Sequence, residues 1–178
     1  MEDETVTAYI GIGSNLGDRA GNLLLAVRAL LEASIEVRKL SAIYETEPVD
    51  IESEVNFLNM VAEVRVRNVT PSQLMARMLR IEYLLGRRDK SLKRPRTVDL
   101  DLLLFGNQRV ESPFLTVPHP RLHLRRFVLI PLAEIAPTAV HNVFHKDIRE
   151  LLNETEDRSH VSRWNPYSSD VLSPGGIH

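Results

Sequence analysis

Apolar and polar positions alternate with the period of a strand near the start of the chain, where Val6, Ala8, Ile10 and Ile12 share one face. A turn follows at Gly13-Ser14-Asn15-Leu16-Gly17-Asp18. The period then becomes helical, with Leu23, Val27, Leu30 and Leu31 on one stripe. Residues 36–47 predict a second strand, stopped by Pro48. A third is clear from Leu58, Met60, Ala62, Val64 and Val66 alternating with Phe57, Asn59, Val61, Glu63 and Arg65, which puts Asn59 on the non-core face. Thr70-Pro71-Ser72-Gln73 supplies an N-cap, a proline at the first helical position and a capping-box partner. Leu74, Met78, Ile81 and Leu85 form the buried stripe of that second helix, which Gly86 closes.

A basic loop with Arg87, Arg88, Lys90, Lys93, Arg94 and Arg96 leads into an apolar strand over 98–105. Gly106-Asn107 turns the chain into a short hairpin partner around Arg109–Glu111. Residues 116–126 form a loop rich in Pro, His and Arg, followed by a short helix after Pro131 and another near 147–152. Segments 86–95 and 118–126 lack apolar periodicity, so little burial holds them closed without a ligand, and both are expected to act as lids. The order strand-helix-strand-strand-helix-strand is the split βαβ arrangement: an α+β sandwich, helices on one face of a mainly antiparallel sheet, with an extra C-terminal hairpin and helix. Residues 1–160 are expected to form one domain and 161–178 a flexible tail.

Composition narrows the functional classes. A chain of 178 residues with 43% hydrophobic content suits one domain with a substantial core. The net charge of -2 gives no global pull toward nucleic acid or an anionic membrane, so the basic loop is a local device. The absence of cysteine removes thiolate catalysis, disulfides and cysteine-based metal centres. Met1-Glu2-Asp3-Glu4 has no signal-peptide pattern and no apolar run reaches membrane length, so a soluble cytoplasmic protein is expected.

Two carboxylates interrupt the most apolar of the strands, in Pro95-Arg96-Thr97-Val98-Asp99-Leu100-Asp101-Leu102-Leu103-Leu104-Phe105. Strand geometry sets Asp99 and Asp101 side by side, ~7 Å apart at Cα, with Val98, Leu100, Leu102 and Leu104 pointing the other way. Like charges this close at the mouth of a buried strand are costly unless paired, protonated or bound to metal. The basic loop offers neutralisation, so charge alone leaves arginine pairing and metal binding both open. Metal is favoured because a hard ion such as Mg²⁺ takes one or two carboxylates and completes its shell with phosphate oxygens and water. Acids and bases so interleaved suit a metal-bound polyphosphate.

Other signals are weaker alone. Gly11-x-Gly13-x-x-x-Gly17 does not have the spacing of a dinucleotide-binding loop, and no Gly-Lys-Ser/Thr phosphate loop occurs. A tight turn capped by Asp18 or Asn15 weighs as heavily there as a ligand contact, with polar backbone available for a pocket floor. His119, between Pro118 and Pro120, is by itself a surface histidine. With Arg121, Arg125 and Arg126 it makes a second positive arm facing the Asp pair, as polyphosphate transfer requires. Glu82, one turn before its helix ends, is by itself a solvated residue or an intrahelical partner.

In chain order, Ala8 to Arg19, Tyr44-Glu45-Thr46-Glu47-Pro48-Val49, Phe57-Leu58-Asn59, Leu85-Gly86-Arg87, Pro95 to Asp101, and Val117-Pro118-His119-Pro120-Arg121-Leu122 with Arg125-Arg126-Phe127-Val128-Leu129 resemble the motifs of the 6-hydroxymethyl-7,8-dihydropterin pyrophosphokinase family. The Pro-Arg-Thr-x-Asp-Leu-Asp segment is highly specific to it. The resemblance implies a ferredoxin-like fold and transfer of pyrophosphate from ATP to the hydroxymethyl group of the dihydropterin, releasing AMP. It also implies two Mg²⁺ held by Asp99 and Asp101, with Arg87 and Arg96 joining them in catalysis. The pterin would lie between Phe57 and Phe127, its polar edge read by Asn59 and by Thr46, Pro48 and Val49. Arg87, Arg96, His119 and Arg125 would contact the ATP phosphates, and Glu82, Leu102 and Thr116 would lie near the nucleotide. The implied partners are small molecules, without nucleic acid or membrane, and the implied state is a monomer. Three positions depart from the family pattern: Phe114 replaces an arginine of some relatives, Leu124 replaces an acidic residue, and the basic loop lacks a tryptophan.

The same architecture also hosts RNA-binding and small-molecule regulatory modules. RNA binding is opposed by an aromatic content of 6%, by the absence of a ribonucleoprotein pattern, and by an Asp pair that repels phosphate unless metallated. A catalytically dead sensor is opposed by the presence of every residue assigned to metal and phosphate.

Overall fold

The alternating segments pair into one antiparallel sheet in the computed structural model, which describes residues 3–47, 55–86 and 97–167. Its strands are β1 (Thr5–Ser14), β2 (Glu36–Leu40), β3 (Tyr44–Thr46), β4 (Phe57–Arg67) and β5 (Asp99–Phe105). Two separate ribbons pair β6 (Val110–Glu111) with β7 (Thr116–Val117), and β8 (Val140–His141) with β9 (Lys146–Asp147). A last strand, β10 (Val161–Arg163), closes the main sheet, whose order is β10-β3-β4-β1-β5, with β2 also on β4. Four helices accompany it among the described residues: α1 (Arg19–Glu32), α2 (Pro71–Leu84), α3 (Arg126–Ile135) and α4 (Ile148–Glu154).

The helix starts follow local chemistry. Asp18 accepts from the Gly21 amide at the head of α1. At α2 the Gln73 amide donates to Thr70 Oγ1 at 3.1 Å and the Thr70 amide donates to Gln73 Oε1 at 2.9 Å, the predicted capping box. On one side of the sheet α1 and α2 bury Leu23, Leu30, Leu74 and Met78 against the even-numbered residues of β1 and β4. On the other, α3 and α4 pack Leu129, Leu132 and Ile148 with Val61 and Leu103. Helices therefore cover both faces, rather than the one face expected.

Several boundaries also differ from the sequence reading. The strand expected over 36–47 breaks at Ser41, whose Oγ accepts from the Val61 amide at 2.9 Å, so β2 and β3 pair with different parts of β4. β6 pairs with β7 rather than folding back on the Asp strand, because its register is set by the turn at Ser112. α3 begins at Arg126 and runs through Pro131, so that proline lies inside the helix rather than before it. The expected tail loses its first residues to the sheet: Val161–Arg163 pair with β3, and the Trp164 amide donates to the Ile43 carbonyl at 2.8 Å. The remainder of the tail beyond Tyr167 lies outside the described residues.

β5 carries the most consequential departure. Tyr9 partners Leu104 while Ile10 partners Leu102, so Leu103 is an extra residue in the ladder. Beyond this bulge the faces exchange. Leu103 and Leu104 both join the core under α3, and Phe105 takes the place in the main core that strict alternation assigned to Leu104.

Candidate active site

The cavity face of the sheet is built from rows across three strands. Asn59, Gly13 and Asp99 form one row over β4, β1 and β5, and Val61, Gly11 and Asp101 form the next. The two glycines lie on the central strand, on the same face as the carboxylates and the amide. Their missing side chains leave a hollow between Asn59 on one side and the Asp pair on the other. A Cβ on Gly13 would stand 2.8 Å from Asn59 Oδ1 and 3.7 Å from the Phe57 ring, so the close approach requires glycine there. The polar turn seen in the sequence thus serves as floor through Gly11 and Gly13, while Asp18 caps α1.

This hollow is a cavity of about 270 Å³. It brings together Thr46, Phe57, Asn59, Asp99, Asp101 and Phe127, with Arg125 beside them. Asn59 Nδ2 donates to Thr46 Oγ1 at 2.8 Å, which leaves the amide oxygen as the acceptor on the Gly13 side. The Arg125 guanidinium lies 5.6 Å from the centre of the Phe127 ring, a cation–π contact that holds both at one edge. Arg121 lines the same cavity. It belonged to the expected positive arm without being assigned a ligand, and the polar loop around it gave no period from which its direction could be read.

A second cavity of about 250 Å³ shares Asp101 with the first. Leu102, Thr116 and His119 line it, so three further residues expected near ATP meet on the other side of that one carboxylate. The His119 amide donates to the Leu103 carbonyl at 2.9 Å, and His119 Nδ1 accepts from the Arg121 amide at 3.1 Å, so the neutral ring carries its proton on Nε2. Leu122 in the following 3₁₀ turn is 0% exposed. The segment 118–126, expected as a lid, is therefore anchored by the core leucine Leu122, by the backbone hydrogen bond of His119 and by the contacts of Arg126 with Asp157 and Ser159.

Two residues are placed elsewhere. Arg126 points away from the cavities: its amide donates to Asp157 Oδ2 at 2.8 Å and its Nη1 to the Ser159 carbonyl at 2.9 Å. Burial pushes the Asp157 carboxyl up, but the Arg126 and Ser159 amides, the Ser159 hydroxyl and the Arg126 charge outweigh it and hold the carboxyl below its ordinary value. Glu82 is 2% exposed in the last turn of α2 and lines neither cavity. Pro48, Val49, Arg87 and Arg96 lie outside the described residues.

Phe127 is set by its helix. At the far end of α3, Glu134 accepts from the Ala42 amide at 2.8 Å and from the Tyr44 hydroxyl at 2.6 Å, tying α3 to β3, the strand that carries Thr46. Burial, with Glu134 as hydrogen-bond acceptor and nearby negative charge, pushes the Tyr44 phenol up to about 12, so it stays a donor at neutral pH.

A sequence model of 7,8-dihydro-6-hydroxymethylpterin-pyrophosphokinase (HPPK) matches residues 9–137. The chain is 47% identical over 129 residues to the 2-amino-4-hydroxy-6-hydroxymethyldihydropteridine pyrophosphokinase of Bacillus subtilis, covering 72% of this chain and 77% of that one. It is 35% identical over 148 residues to the protein of the same name from Aquifex aeolicus, covering 83% and 91%. Among solved structures, Plasmodium falciparum HPPK-DHPS wild type with SDX-DHP matches 86% of this chain at a TM-score of 0.69 and 17% identity. That likeness is one of fold, and this chain spans 45% of the length of the solved chain.

Proposed function

The chain belongs to the 7,8-dihydro-6-hydroxymethylpterin-pyrophosphokinase family, transferases of folate biosynthesis, and from that premise we propose that it carries out Mg²⁺-dependent transfer of pyrophosphate from ATP to 6-hydroxymethyl-7,8-dihydropterin. The observation that carries this is the pair of rows Asn59–Gly13–Asp99 and Val61–Gly11–Asp101, which set an amide reader and two carboxylates on one floor. A flat heterocycle fits over the glycines, between the rings of Phe57 and Phe127, with N–H groups toward Asn59 Oδ1. The Thr46 hydroxyl receives the Asn59 amide and fixes which end of that amide faces the ligand.

The donor set suits a hard cation. Two carboxylates adjacent on one strand face are what Mg²⁺ takes from a protein when phosphate and water complete its shell. Among the described residues no group of three or more His, Cys, Asp or Glu forms a closed cage, and such an ion needs none. Bound at Asp99 and Asp101, two Mg²⁺ would neutralise phosphate oxygens and make the hydroxyl more acidic.

The ATP chain lies across Asp101, the residue common to both cavities, with its nucleoside in the second. The pterin hydroxyl oxygen forms a bond to the β-phosphorus as the bond from that phosphorus to the α-bridging oxygen breaks. AMP leaves with the bonding electrons, and the hydroxyl proton passes to solvent. Arg121, Arg125 and the His119 Nε2–H supply donors for the developing charge, and Arg87 and Arg96 are assigned the same task. Positioning and electrostatics dominate, since the cavity holds no obvious strong general base. The enzyme is taken to be a cytoplasmic monomer acting on small molecules rather than nucleic acid. The net charge of -2 supports the last point, and no described helix is long and apolar enough to cross a membrane.

The test is AMP release from ATP in the presence of Mg²⁺ and the hydroxymethyl dihydropterin, followed by chromatography. AMP and dihydropterin diphosphate should appear in equal amounts. Release of AMP without the pterin product, or none above background, would overturn the proposal.

A further inference from the structure

Phe114 is 91% exposed, the most exposed of the large apolar side chains among the described residues. It does not sit on a loose segment. Ser112 Oγ accepts from the Phe114 amide at 3.3 Å and the Leu115 amide at 3.1 Å, and donates to the Leu115 carbonyl at 3.1 Å. The Ser112 amide donates to the same carbonyl at 3.0 Å, and Leu115 is buried in the main core. A ring held in water by so constrained a turn contributes nothing to folding through burial.

The turn forms the mouth of the second cavity. Met75, Pro113, Phe114 and Leu115 line that cavity and not the first, while Asp101 joins the two. Thr116 and His119 add polar lining. An apolar wall beside a carboxylate, a hydroxyl and an imidazole suits a flat heterocycle linked to a charged chain.

On the premise that ATP is the donor, we infer that Phe114 is the stacking face for the nucleobase of the donor nucleotide. Its ring is the aromatic surface this cavity offers on its solvent side. Stacking tolerates any base, because every base has a π-face, so Phe114 raises affinity for nucleotides without selecting among them.

Calorimetry with Mg·ATP and Mg·tripolyphosphate on the full chain tests this without turnover. Phe114→Ala should bind Mg·ATP more weakly by about 5-fold or more, from the usual strength of base–aromatic stacking. Its affinity for Mg·tripolyphosphate and its melting temperature should be those of the wild type. Phe114→Trp should keep the ATP affinity, with indole emission quenched on binding beyond any change at Trp164. Unchanged ATP affinity in Phe114→Ala, an equal loss for both ligands, or a variant that fails to fold would overturn the inference. If the wild type binds no Mg·ATP, the proposed function falls with it; if it binds and Phe114→Ala binds equally, only the inference does.

Discussion

The two faces of the sheet obey different rules. Under α1 and α2, Ala8, Ile10 and Ile12 of β1 and every second residue of β4 from Leu58 to Val66 are apolar and buried, and the face closes into a continuous core. On the opposite face the same strands present Gly11, Gly13 and Asn59, and β5 presents Asp99 and Asp101. There α3 and α4 cover only part of the sheet, packing at Val61, Leu103 and Leu104. One face is held by burial. The other is left open by glycine and kept polar, and its hollow is stabilised from outside by the Glu134 clamp and the Arg126–Asp157 contact.

Neighbours on β5 offer the sharpest way to break this contrast. Asp101→Ala or Asp99→Ala should lower turnover by more than about 100-fold, ~2.7 kcal/mol of barrier, while thermal stability is retained because each change removes a proposed metal ligand rather than a core contact. Single-turnover rates and melting curves on the same samples check it; a variant that keeps its rate, or that simply unfolds, contradicts it. Leu100, between the two and fully buried on the other face, should respond in the opposite way. Leu100→Ala should cost about 2–5 kcal/mol in denaturant unfolding, with turnover per folded molecule retained.

The glycine row gives a smaller effect. Gly13→Ala forces a methyl against Asn59 Oδ1, and Asn59→Ala removes that oxygen. Each should weaken pterin binding by ~1–3 kcal/mol while sparing ATP. Calorimetry with each ligand separately decides, and equal losses would make Asn59 a support of the sheet rather than of the pocket.

The smallest expected effect is titration beside the second core. Burial pushes His123 and His141 below the ordinary histidine value, His141 further so through the neighbouring His123. Their rings stand edge to face with centroids 6.3 Å apart, and Phe144 packs on both. The unfolded chain then binds protons more readily than the native one. Stability is complete above the unfolded value near pH ~6.5 and falls as pH drops from there toward the lower native values. Melting temperature between neutral and mildly acid pH should decline less steeply in His123→Phe than in the wild type; parallel curves would contradict it.

Periodicity determined much of this protein. Alternation in β1 and β4, the α2 stripe and the Thr70–Gln73 capping box are local patterns, each satisfied by residues a few positions apart, so the sequence alone specified them; on α1 the expected stripe holds at Leu23 and Leu30 but not at Leu31, which is exposed while Ala26 is buried. It also specified the Asp pair, because two carboxylates in an apolar strand are costly wherever that strand lies. Tertiary structure decided the rest. The bulge at Leu103 exists only as a mismatch between β1 and β5, and the separation of Arg121 and Arg125 from Arg126 depends on Asp157, thirty-one residues away. A pocket floor at the glycine-rich turn was open to the sequence, but not what Gly11 and Gly13 separate: a missing side chain acquires meaning only when Asn59 and the aspartates stand on either side of it, and that adjacency belongs to strand pairing rather than to the chain.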